Sequence, residues 1–453
     1  MKYLKLSKDE KDYVKKLPTL NNKRDWLQNT VIQKCLQNTV SKKYVWSCYP
    51  RMGKSYLVLK LINLFDKKYS NPLQLHLCVT PTSHIKEEFI KLFDEHRIKN
   101  VVVSTCSGVF SKRFQTMYKN HEWGIIFGDE ADVGISSQAS IQWSNILNLK
   151  SKHQVMLSGT FSEQNLEHLS KAGFDTLFEI NIEDGGYMGT LPTFITYNYG
   201  VDLTASEQLE YCRIHDYMET LIAPYRRVFT AGNWAEYAIS MISGGKHYIK
   251  IDGVTKTSSQ WLDVMSKHTG WNYGVLLGRK KRYIEHRALL NNILETAANK
   301  IVAINNIVNN TEDKGIIFTG RTETCDLIEQ GNTDIIAYHS DSKDKEILKK
   351  FNENNKKAIV SVNKISRGFT NSGIGYAINS SYNSTSNGYI QKISRALSLD
   401  ERNKDKEAKI INLYCKNFTI NNKEIITRDY IRLMKAQKGT SVEWIDDFQS
   451  LND

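Results

Sequence analysis

Short runs of β-branched and aromatic residues alternate with longer amphipathic segments along most of the chain. In the first half the runs are Tyr44–Cys48, Leu73–Thr80, Val101–Ser104, Trp123–Gly128 and Gln154–Ser158, with helical spacing of apolar positions between them, as in Ser55–Phe65 and Ile85–Phe93. In the second half Gly315–Thr319, Asp334–Ala337, Lys357–Val362, Ile374–Ile378 and Lys409–Tyr414 repeat the arrangement. Near-continuous apolar strands separated by helices predict parallel sheets covered on both faces, so the chain reads as α/β with two similar units in tandem. Between them, from about Val201 to Lys300, the sequence is richer in Tyr, Trp and Gly and carries long helical patterns at Ser206–Leu221 and Tyr283–Lys300. Within that stretch two β-prone runs, Lys246–Ile251 and Val254–Thr257, flank Asp252-Gly253, a strong signal for a two-residue hairpin turn.

Length fits this organisation, since 453 residues exceed what one hydrophobic core holds. Composition narrows the function. No uncharged apolar run approaches the roughly 18 residues that span a bilayer, which excludes a membrane role. The first ten residues are charged throughout and lack the apolar centre of a secretory signal, so a cytoplasmic location is expected. Seven scattered cysteines with no C-x-x-C spacing argue against a disulfide scaffold or a zinc site. The net charge of +12 suits a polyanionic partner and equally suits simple solubility.

Two clusters carry chemistry. After the run ending at Cys48, Tyr49-Pro50-Arg51-Met52-Gly53-Lys54-Ser55 leads into a helical pattern. A helix N-terminus favours phosphate, Lys54 can reach the β- and γ-phosphates, and the Ser55 hydroxyl can ligate magnesium. The complete motif has Gly where Cys48 stands. The second cluster, Asp129-Glu130-Ala131-Asp132, follows the apolar run Trp123–Gly128. Carboxylates at a strand's C-terminal end lie where open α/β sheets bind ligands, Asp129 suited to magnesium and Glu130 to activating water.

Around these clusters the sequence resembles the superfamily 2 helicases, which have two RecA-like motor domains. Asp129-Glu130-Ala131-Asp132 is similar to their second motif, and others follow in order. Thr80-Pro81-Thr82 resembles the first nucleic-acid-contacting motif, Ser158-Gly159-Thr160 the motif that couples the nucleotide and nucleic-acid sites, and Gly315–Thr319 the fourth. Ser361–Thr370, containing Asn363, Arg367 and Gly368, resembles the fifth, and Gln391-Lys392-Ile393-Ser394-Arg395 the sixth, which carries the arginine finger. Arg24–Gln28 resembles the adenine-reading segment, with Gln28 one residue later than usual. The chain departs from the family at Thr370, usually Asp, at Ser394, usually Gly, and at Ser398, usually a second Arg. Leu177–Met188, followed by Leu191-Pro192-Thr193, and Arg287 through Lys300 resemble the phage-type DNA branch-migration helicases.

The resemblance implies an ATP- and magnesium-dependent motor acting on DNA forks, junctions or branches in replication, recombination or repair. An RNA helicase, a double-strand translocase without strand separation and a hydrolysis-deficient nucleic-acid-binding protein are the alternatives. Its catalytic residues would be Lys54, Glu130 and Arg395, with Gly53, Lys54, Ser55, Gln28, Gly368 and Gln391 at the nucleotide and Ser55 and Asp129 at the metal. Thr80, Thr82, Thr319 and Asn363 would meet the nucleic-acid backbone. The implied division is an arm at 1–18, motor domains at 19–190 and 301–435, an inserted region at 201–300 and a tail at 436–453; a monomer is compatible with it. Two features of the inserted region stay open. Arg279-Lys280-Lys281-Arg282 reads as a nucleic-acid contact or a solvated basic turn, and the hairpin as a strand-separating wedge, with Trp261 and Trp271 stacking on bases, or as a packed element with both in a small core.

Overall fold

The computed structural model describes the chain apart from residues 50, 70–73, 119, 133–145, 229–247, 252–253, 343–345, 354–355, 363–372, 383–385, 400–404, 438–441 and 446–453. The first sheet is built from β1 (Lys2–Leu4), β2 (Lys43–Cys48), β3 (His76–Thr80), β4 (Val101–Thr105), β5 (Trp123–Gly128), β6 (Ser151–Ser158) and β7 (Thr176–Ile180). Its spatial order is β1-β7-β2-β6-β5-β3-β4, and every pairing is parallel.

The next strand, β8 (Thr193–Val201), belongs to the second sheet. A small antiparallel pair, β9 (Tyr248–Ile251) and β10 (Val254–Thr257), follows in the inserted region. The remaining strands are β11 (Lys314–Phe318), β12 (Ile335–Ala337), β13 (Ala358–Ser361), β14 (Ile374–Asn379), β15 (Glu407–Cys415), the short pair β16 (Phe418–Ile420) and β17 (Lys423–Ile425), and β18 (Glu443–Ile445). The second sheet runs β12-β13-β11-β14-β15-β8-β18, again all parallel. The α/β reading therefore holds: there are two parallel seven-stranded sheets in tandem.

Alternation explains the continuous apolar runs. In β2, β5 and β6 one face presents Tyr44, Trp46, Ile125, Phe127, Val155 and Leu157, whereas Val45, Ile126 and Met156 pack on the other. The second sheet repeats this, with Ile316, Phe318 and Ala377 on one side and Ile317, Tyr376 and Ile378 on the other. Each Val, Leu, Ile, Phe or Met among them contributes roughly 1.5–3 kcal/mol of burial.

The expected helix Tyr283–Lys300 is two helices, Tyr273–Glu295 and Ala298–Asn310. The break is held from outside: the Ala298 N–H donates to the Glu207 carboxylate at 2.9 Å, and the Thr296 hydroxyl donates back to Asn292 O. Residues 246–247 of the expected hairpin strand and its Asp252-Gly253 turn lie outside the described residues. No helix among the described residues is long and apolar enough to cross a membrane. All seven cysteines are free thiols.

Candidate functional site

The phosphate-loop candidate leaves β2 at the buried Cys48, whose thiol burial pushes up to about 12. The Tyr49 N–H donates to Ile180 O, and its hydroxyl shares a 2.5 Å hydrogen bond with Thr190. Arg51 (φ 76°) and Gly53 (φ 87°) then turn the chain through the left-handed region, and Lys54 opens the helix Lys54–Tyr69. At Gly53 a side chain would be strained by that φ, and the Gln28 amide, 2.7 Å from a Cβ, would have to shift aside. Gln28 is buried and donates to Met52 O and Gly53 O, both at 3.3 Å, so it braces the loop. Pro50 lies outside the described residues.

The carboxylates stand at the end of β5. The Asp129 N–H donates to Val79 O at 2.9 Å, and Glu130 adopts a left-handed φ of 48°. Burial first, and then the neighbouring Glu130, push the Asp129 carboxyl up to about 7, while Lys54 opposes the shift. A buried carboxylate with one cation in range suits a divalent ion, and a magnesium site of this kind takes one or two protein carboxylates, the remaining ligands being phosphate and water. Among the described residues no group of three or more His, Cys, Asp or Glu is placed to hold a metal by itself. Asp132 points elsewhere: its carboxylate accepts from the Ser158 hydroxyl at 2.6 Å and from Thr160 at 3.0 Å. The Asp129–Asp132 and Ser158–Thr160 segments are thus physically joined.

The second unit reaches this place through the helix Ser386–Ile393. The Gln391 side-chain amide donates to the Glu130 carboxylate at 3.3 Å. Arg395, in the turn after that helix, is near enough to Arg51 that the two cations oppose each other; burial and then Arg395 lower the Arg51 guanidinium. A second link is the Arg24 guanidinium donating to Leu399 O at 3.2 Å. Lys54, Ser55, Asp129, Glu130, Gln391 and Arg395 are therefore gathered from the two units at the C-terminal ends of their strands.

The backbone-contact candidates are placed differently. Thr80 is buried and donates to Thr82 O, whereas Thr82 is exposed and caps the helix Ser83–Glu95. Thr319 is buried, donating to Arg321 O at 3.2 Å beside Cys325. Asn363, Arg367, Gly368 and Thr370 lie outside the described residues. Arg279 to Arg282 are on the helix Tyr273–Glu295 and not in a turn; Arg279 stacks 4.4 Å over Trp271 and donates to Thr220 O. Trp261 is buried, with Lys256 5.1 Å above its ring.

Three cations went unassigned by sequence. Buried Lys392 donates to Asn379 Oδ1 and Ser381 O, and burial lowers its ammonium to about 8. Buried Lys406 donates to Ala396 O and Ser398 O, fixing the turn that bears Arg395. Arg51 sits inside the phosphate-loop motif, but its pairing with Arg395 carries no sequence signal.

Residues 299–399 match the helicase conserved C-terminal domain. The match falls in the second unit. It extends over less than a quarter of the chain. Solved structures similar to the chain include a S. cerevisiae Dbp5 variant bound to RNA and ADP BeF3, 12% identical over 90% of this chain and 87% of that one, with a TM-score of 0.49. A DEAD box protein from the hyperthermophile Methanococcus jannaschii is 12% identical over 89% of this chain and 88% of that one, with a TM-score of 0.42. No curated protein matches the sequence. The helicase C-terminal domain covers β11 to β14 and ends at the Arg24-bound Leu399, so it contains both Gln391 and Arg395.

Proposed function

We propose that this protein is an ATP-dependent DNA helicase or translocase whose hydrolytic site is completed by closure of the two units. The observation that carries this reading is the Gln391 to Glu130 hydrogen bond, which links the helicase C-terminal domain to the carboxylate best placed to activate water. In this reading Gly53 and Lys54 hold the phosphates, Ser55 and Asp129 hold magnesium, and Gln28 shapes the loop that receives them. Magnesium, when bound, neutralises charge on the transferring phosphoryl group. Glu130 orients the attacking water and accepts its proton. Arg51 and Arg395 repel each other across the site, and a polyphosphate between them turns that repulsion into shared attraction. Nucleotide binding therefore favours closure, and closure brings Arg395 to the γ-phosphate.

Asp132 transmits the event. Its bonds to Ser158 and Thr160 tie the carboxylate segment to the end of β6, so a change at Glu130 reaches that strand's edge. The DNA reading rests on the resemblance of Leu177–Met188 and Arg287–Lys300 to branch-migration helicases, and the preferred structures would be forks, junctions or branches. ATPase rates measured with single-stranded DNA, duplex, fork and RNA test it. Stimulation by DNA, strongest on forks or branches, is the expected result; stimulation by RNA alone would assign the same motor to RNA.

A further inference from the structure

The chain crosses from the first sheet to the second through residues 181–192, between the end of β7 and the start of β8. This segment folds as the short helix Ile182–Tyr187 and a turn at Gly189, which takes a left-handed φ of 66°. It lies directly against the phosphate-loop candidate. A Cβ on Gly185 would come within 2.8 Å of the Leu191 side chain and 3.1 Å of the Tyr49 ring, so the missing side chain lets the short helix rest on that ring. Tyr49 is the first residue after β2, and it and Thr190 are both buried.

The polar contact between them has a definite direction. The Thr190 hydroxyl donates to Gly185 O at 3.0 Å, which uses its one hydrogen. In the 2.5 Å bond the Tyr49 phenol is therefore the donor and Thr190 the acceptor. Packing alone would be met by Phe at position 49. A phenol hydroxyl is costly to bury unless it is bonded, and Thr190 supplies the bond. Backbone bonds fix the same register, the Tyr49 N–H donating to Ile180 O and the Thr190 N–H to Gly185 O, both at 3.0 Å.

The helix Leu20–Asn38 grips both sides of this bond. Its Gln28 donates to Met52 O and Gly53 O in the loop, and its Lys23 ammonium donates to Met188 O at 3.0 Å in the crossing segment. The N-terminal helix Lys8–Lys16 holds the crossing segment from outside, through the Lys11–Asp184 ion pair, a Tyr187 hydroxyl bond to Asp12 and Lys15 4.7 Å over the Tyr187 ring. The segment as far as Met188 is thus fixed to the first unit. From Thr193 the chain is in β8, paired over nine residues with β15 in the second sheet. Residues 189–192 are the covalent joint between the units, and Thr190 stands in it.

We infer that Tyr49 and Thr190 are positioning residues, whose hydrogen bond makes the phosphate loop's hold on nucleotide depend on the joint between the two units. This rests on the proposed nucleotide site, and the following experiment separates the two. Affinity of the full chain for a fluorescent non-hydrolysable ATP analogue with magnesium is titrated with and without saturating single-stranded DNA or RNA, and melting temperatures are recorded. The variants are Tyr49→Phe, Thr190→Val, the two combined, and the hydroxyl-keeping Thr190→Ser. Each of the first two should weaken analogue binding about 5-fold, as expected for one lost buried hydrogen bond. The combined variant should bind no more weakly than either alone, because the two hydroxyls make one bond. Thr190→Ser should keep the wild-type affinity. The gain in affinity that nucleic acid gives the wild type should shrink in Tyr49→Phe and Thr190→Val. Unchanged affinity in both single variants overturns the inference whatever their melting temperatures do, since the bond would then serve folding only. Losses that add in the combined variant, or a loss in Thr190→Ser, also overturn it. Weaker binding without a smaller gain than in the wild type overturns the link to the joint. Wild-type protein that binds no analogue removes the nucleotide site and the inference together.

Discussion

The two sheets present opposite chemistry at corresponding ends. In the first, the C-terminal strand ends carry Asp129, Glu130 and the phosphate-loop candidate; in the second, they carry Arg321, Lys392 and Arg428. The first edge is acidic and the second basic. Under the proposed function the acidic edge takes magnesium through Asp129. The threonines at the same edges, Thr80 and Thr319, bond inward and shape their loops.

The comparison breaks most sharply at the carboxylate edge. Lys54→Ala and Glu130→Gln should each reduce ATP turnover by about 10³ or more, with Glu130→Gln still binding ATP, as read by fluorescent nucleotide titration. Turnover near wild type in either variant would dismantle the acidic edge as a hydrolytic site. Next is the cation brought from the other unit. Arg395→Ala should keep nucleotide affinity and lose about 10³ in turnover. If turnover survives, the finger lies elsewhere, with Arg367 the next to be replaced.

A smaller effect sharpens the link between the edges. Gln391→Ala removes one hydrogen bond across the cleft, and about 1 kcal/mol corresponds to a several-fold loss of turnover, measured at saturating ATP. No loss would make that bond incidental.

The smallest effect concerns stability without nucleotide. The folded protein holds the Asp129 carboxyl near 7, above its unfolded value near 3.8, so its ionisation opposes folding. Stability from the neutral form is complete below the unfolded value and is lost as pH rises through about 7. Asp129→Asn should therefore raise the melting temperature by several degrees at pH 8 and leave it unchanged at pH 4. A lower melting temperature at pH 8 would show that the carboxylate is already compensated.

Much of this was legible because the signals are local. Lys54 follows a strand by one turn, and Asp129 and Glu130 follow another directly, so strand pattern and residue type sufficed. Contacts between distant segments left no such trace. Gln391 meets Glu130 only through the pairing of elements far apart in sequence. The helix break after Glu295 contains neither Gly nor Pro, being capped by Glu207 from another helix. Strand β8 has a mixed polar pattern, and its nine-residue pairing with β15 is what commits it to the second sheet. Lys300 has the spacing of an ordinary surface lysine, yet it is buried on Asp429.

In the proposed cycle the two charged edges close on ATP when nucleic acid is bound. The direct measurement is the steady-state ATPase rate of the full chain with and without saturating single-stranded DNA. Stimulation of about 10-fold or more in wild type, absent in Arg395→Ala, is the predicted result. A wild-type rate that neither DNA nor RNA changes would contradict the account.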